Sequence, residues 1–178
     1  KAKKQLGASL KRHNISNGFG KSYLQSGKYD SLAEAVGQYG DAMVEIDNDG
    51  ILLRISTNKI QMNLNLRRGM TIQKLAFASH DMVPCIGTLP HGYFSCISLG
   101  ADYYSGGVVI ELPIERRRIT DLEQVNPHFL LKNNGDIQIH TIITSPVGEI
   151  IKSIEISSSN ESISLNYHFS KRSAINGS

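Results

Sequence analysis

The chain has 178 residues, 40% of them hydrophobic, and a formal charge of +3. That length suits one domain with a sizeable core and room for an appendage. The charge is too small to argue for a nucleic-acid partner, and apolar runs such as residues 108–112 are far too short to cross a bilayer. Aromatic residues make up only 7% and there is no Trp, so the core must be aliphatic.

Residues 1–28 are rich in Lys, Gly, Ser and Asn and carry no apolar signal-peptide segment. They read as a polar leader or linker. The chain begins without Met and ends at 174–178 just after a strand-like run, which suggests a piece of a longer polypeptide with other domains.

Residues 30–39 give the best helix signal. Ser31 and Glu34 have capping-box spacing, Leu32, Ala35 and Val36 form a short apolar stripe, and Gly37 and Gly40 end it. The expected organisation is therefore a leader at 1–28, a short helical connector at 29–40 and a β domain at 41–178.

Strands dominate from there. Residues 42–46 and 51–56 flank Asp47-Asn48-Asp49-Gly50, a strong hairpin signal because Asn and Gly accept positive φ. Its acidic residues are consecutive and lack a closing glutamate, so it does not match a calcium loop. Residues 60–66 alternate apolar and amide side chains, which predicts a strand buried on one side. Arg67-Arg68-Gly69 turns the chain. The alternation resumes at Met70-Thr71-Ile72 and slips at Gln73-Lys74, where a bulge is expected. Residues 137–143, 149–156 and 162–169 complete a set of nine or ten strands. Short spacing between strands predicts a mostly β, antiparallel sandwich.

The stretch 80–123 holds most of the chemically capable residues. His80, His91 and Glu111 could serve as acid–base groups on a sugar, or the histidines could be structural or surface residues. The same set could hold zinc, but no zinc or calcium spacing can be assembled from neighbouring residues, so no metal is expected. No phosphate-binding glycine fingerprint is present, and no cofactor is expected. Asp102, Tyr103 and Tyr104 lie between Gly100 and Gly106-Gly107. Rings flanked by glycines can lie open for a sugar to stack on, while strand alternation alone would bury one tyrosine and expose the other. Arg116, Arg117 and Arg118 are the densest charge, but Glu111, Glu115, Asp121 and Glu123 surround them. Internal ion pairing or a solvated face is expected there, rather than an anionic ligand. Cys85 and Cys96 have apolar neighbours, Ile86 and Ile97, and are expected as enclosed free thiols.

The run 41–169 resembles the β-supersandwich of the galactose-mutarotase-like type, which follows the catalytic barrel in large glycoside hydrolases and glucanotransferases. The similar features are the Asn/Gly hairpin, the apolar strand after it, the turn at Gly69, and Met70-Thr71-Ile72 followed by Leu75-Ala76-Phe77. The histidine-rich signature of true mutarotases has no counterpart around His80 or His91. The resemblance implies an accessory, non-catalytic domain of a carbohydrate-active enzyme. It would bind or border a glycan through His91, Asp102, Tyr103, Tyr104 and Glu111. A stand-alone sugar enzyme using His80, His91 and Glu111, or a docking domain using the arginine turn, are the other two readings.

Overall fold

The computed structural model describes residues 29–31, 35–87 and 104–170. Thirteen strands run through these residues, all in antiparallel pairs. They form two large sheets and a separate hairpin.

The six-stranded sheet takes its strands in chain order: β2 (Gly37–Tyr39), β3 (Ala42–Ile46), β4 (Leu52–Ser56), β5 (Ile60–Asn65), β6 (Thr71–Phe77) and β7 (Pro84–Gly87). The acidic turn closes β3 onto β4 as its composition predicts. Asp47 Oδ1 accepts from the amides of Ile51 and Leu52 at 2.7 and 3.0 Å, so this carboxylate serves the turn itself. The bulge is also where the pattern slips. Asn63 pairs with Lys74 and Leu64 with Ile72, which leaves Gln73 as the extra residue.

The five-stranded sheet has the order β1 (Tyr29–Ser31), β10 (His128–Leu131), β11 (Ile137–Ser145), β12 (Gly148–Ile156) and β13 (Ile163–Phe169). Ser145 and Gly148 close the long β11–β12 hairpin. Between the sheets in sequence, β8 (Val109–Leu112) and β9 (Arg117–Thr120) form a two-stranded ribbon.

The alternation explains why two sheets pack. The long strands β3, β4, β5, β11 and β12 bury apolar residues at alternate positions, and those faces must leave water together. Val44, Leu53, Ile55, Ile60, Met62 and Leu64 from one sheet meet Phe129, Ile137, Ile139, Ile154 and Ile156 from the other in one buried core. The core is aliphatic as expected, with Tyr39 and Phe129 adding one ring contact at 5.4 Å between centroids.

The helix expected at 29–40 does not extend over both ends of that stretch, and residues 32–34 lie outside the described residues. Tyr29–Ser31 and Gly37–Tyr39 are strands, paired to β10 and β3 respectively. Only Ala35 has helical character among the described residues of this stretch. A capping box stabilises helix ends by about 1 kcal/mol, which is less than ladder pairing and core burial offer a strand at a sheet edge. Among the described residues no helix is long and apolar enough to cross a membrane.

Candidate functional site

The sequence-predicted residues fall in three places. His80 ends a short 3-10 turn (Ala78–His80) between β6 and β7 and is exposed. Its Nδ1 lies 2.9 Å from Ser79 Oγ. Glu111 stands on β8, also exposed, with its carboxylate 2.6 Å from Arg118 Nη2. Among the described residues no hydrogen bond or ion pair joins His80 to Glu111. Tyr104 is half-buried at the start of the segment that leads into β8. His91, Asp102 and Tyr103 lie outside the described residues, as does Cys96.

Cys85 is free, as expected, but it is exposed rather than enclosed. It stands on β7 between Pro84 and Ile86, where the β6–β7 register shifts and leaves it as the extra residue, and its Sγ donates to the carbonyl oxygen of Leu75 at 3.2 Å. The arginine turn behaves as its acidic surroundings predict. Arg118 pairs with Glu111, and Arg117 Nη1 lies 3.6 Å from Glu115.

The most organised chemistry lies behind Tyr104. Lys152 and Asp121 are both fully buried and form an ion pair. Lys152 Nζ also donates to the carbonyl oxygen of Gly69 at 2.6 Å and sits 5.6 Å from the centre of the Tyr167 ring. Asp121 Oδ1 accepts from the amide of Val108 at 2.8 Å. The Tyr167 hydroxyl donates to the carbonyl oxygen of Gly106 at 2.7 Å.

These groups are placed by register. Thr141, Lys152 and Tyr167 are cross-strand partners on β11, β12 and β13, and all point into the sandwich. Ile150 and Ile154 flank Lys152 on the same face. Gly69 follows the 3-10 turn Leu66–Arg68 in left-handed geometry, with φ of 62°. A side chain there would overlap the Asp121 carbonyl oxygen, so only glycine lets the two segments meet. The Gly69 amide donates to the carbonyl oxygen of Glu123 at 2.7 Å and fastens the same approach.

Burial sets the electrostatics. Desolvation lowers the Lys152 pKa from its ordinary value, and the Asp121 charge and hydrogen bond oppose that fall. Desolvation, with help from the Asp121 charge, raises the Tyr167 phenol to about 12. Thr71 is buried beside this centre, and its hydroxyl has no hydrogen-bond partner among the described residues.

The chain matches no family model, no curated protein and no solved structure.

What the arrangement can do follows from its access. A sealed lysine and aspartate cannot touch a substrate, but they can hold a surface segment. Residues 104–108 are held at three points: Ile72 N donates to Ser105 O at 2.8 Å, Tyr167 to Gly106, and Val108 to Asp121. The Tyr104 O to Gly107 N bond of 2.9 Å closes the turn itself. The half-buried Tyr104, the exposed Glu111 and its partner, the largely buried Arg118, therefore stand on one anchored segment. Sequence reasoning grouped Asp121 with the arginines and passed over Lys152. The available signal was Lys152 at an inward position of the alternation Ile150, Lys152, Ile154, Ile156.

Proposed function

We propose that the chain is an accessory β-sandwich domain of a carbohydrate-active enzyme, which binds or borders a glycan along the segment from Tyr104 to Arg118. One observation carries this reading. The accessible acid–base candidates His80 and Glu111 have separate partners, while the turn bearing Tyr104 is anchored to the sandwich by the buried Asp121 and Tyr167. A rigid turn loses little freedom when a ligand settles on it. A tyrosine ring offers an apolar face and a polar hydroxyl, which suits a sugar's mixed surface. The Glu111 carboxylate and Arg118 guanidinium supply an acceptor and donors for hydroxyl groups.

The supersandwich resemblance supports a carbohydrate as ligand and a longer parent chain as context. Catalysis would then belong to another part of that parent. The test is a screen of the purified chain against immobilised α- and β-glucans, galactans and mannans. Selective retention on one class supports the proposal, and no retention on any of them removes it.

A further inference from the structure

His128 and His140 are directly opposed on β10 and β11. Their rings are 5.2 Å apart between centroids, tilted by 30°. Both lie on the outer face of the five-stranded sheet, opposite the core-facing Phe129 and Ile139, and both are half-buried. We propose that these two imidazoles form a binding site for a late first-row divalent transition ion, Cu2+ or Zn2+, with water completing its coordination.

The geometry is the first argument. At a metal–nitrogen distance of about 2.0–2.1 Å, two rings sharing one tetrahedral ion have their centres about 5 Å apart. The observed centroid spacing of 5.2 Å matches that distance. Each ring gives the ion one nitrogen and keeps the other for a hydrogen bond that fixes its orientation.

The surroundings are the second. β10 lies between β1 and β11, and β11 between β10 and β12, so both ligands sit on interior strands and are held in place. Ser153, the cross-strand partner of His140, receives a hydrogen bond from Gln138 Nε2 at 3.0 Å, which puts polar groups beside the rings. The Lys132 ammonium, just past the end of β10, is matched by Glu155 at 2.7 Å, so its charge is compensated. Imidazole pairs favour copper and zinc over magnesium or calcium, which prefer oxygen ligands. Sequence spacing could not find this pair, because its members meet only through the β10–β11 register. Among the described residues no group of three His, Cys, Asp or Glu side chains is arranged for a metal, so two protein ligands define the site.

The test uses the full chain without a histidine tag, stripped of metal with EDTA. Calorimetric titration with CuCl2, ZnCl2 and MgCl2 should show one Cu2+ per chain, weaker Zn2+ binding and no response to Mg2+. His128→Gln and His140→Gln should each weaken Cu2+ binding at least about tenfold, because the second ligand no longer acts within the same molecule. His80→Gln and His168→Gln should keep it. A second measurement needs no substitution: substoichiometric Cu2+ should broaden the ring-proton resonances of His128 and His140 in the wild-type chain before those of the other four histidines. Binding that survives both site substitutions, or broadening that begins at other histidines, overturns the proposal.

Discussion

Asp121 and Lys152 form an ion pair that is completely closed to solvent, and both also hold backbone groups of other segments. Removing one member of such a pair strands a charge in a low-dielectric interior, which costs about 3–5 kcal/mol. Lys152→Met should therefore destabilise the fold by that amount. The double variant Lys152→Met/Asp121→Asn should be less destabilised than Lys152→Met alone, because its amide oxygen can still accept from Val108. Urea denaturation of the wild type, both single variants and the double variant measures the coupling. Purely additive losses would show that the pair contributes nothing as a pair.

Gly69 is the second point of tension. Its positive φ and its approach to the Asp121 carbonyl oxygen leave no space for a methyl group. Gly69→Ala should cost roughly 3 kcal/mol or more, since both strain and overlap act together. Gly50→Ala gives the control: φ is 64° there too, but nothing lies within 4 Å of the added carbon. A melting temperature equal for the two variants would refute the crowding.

Tyr167 makes the alkaline limit predictable. Its folded pKa, raised to about 12, lies above the ordinary value of 10.0. The neutral phenol thus contributes stability that is fully present below pH 10 and is lost as pH rises towards 12. The lowered Lys152 pKa acts with the opposite sign, and its effect fades as pH rises above the ordinary lysine value of 10.5. Between pH 10.5 and 12 the tyrosine contribution therefore comes to dominate. Unfolding free energy should fall there on the order of 2 kcal/mol in the wild type, and less in Tyr167→Phe. Equal slopes in the two proteins would contradict the assignment.

The acid limit should report His140. Burial, and secondarily the neighbouring His128, lower its pKa to about 4. Burial lowers His128 as well. An unfolded chain takes up these protons near pH 6.5, so stability is present above that value and is lost as pH falls towards 4. His140→Gln should flatten the stability profile between pH 6.5 and 4. An unchanged slope in that variant would contradict it.

Much of the fold was legible because local rules and tertiary burial agreed. The turn at Asp47–Gly50, the strand from Ile60 and the bulge at Gln73 all follow from alternation and turn chemistry. The ends of the stretch 29–40 were read as helix because the spacing of Ser31 and Glu34 is a local preference, while Tyr29–Ser31 is paired to a strand far along the chain and Gly37–Tyr39 to β3. Non-local pairing also hid the chemistry. Lys152 is an unremarkable strand residue until β12 and β13 place it against Tyr167 and Asp121, and His128 meets His140 only through register. His80 and Glu111 were selected for type and nearness in sequence, and the fold gives them different partners.

The central claim is that the anchored segment beginning at Tyr104 binds sugar. Calorimetric titration of the wild type and Tyr104→Ala with soluble oligosaccharides of the glucan, galactan and mannan classes tests it most directly, with melting temperatures recorded in parallel. The account predicts saturable binding of one class by the wild type, at least about tenfold weaker binding by Tyr104→Ala, and a change of only a few degrees in melting temperature, as expected when a stacking ring is lost from a fold that stays intact. No binding by the wild type, or equal affinity in the two proteins, would contradict it.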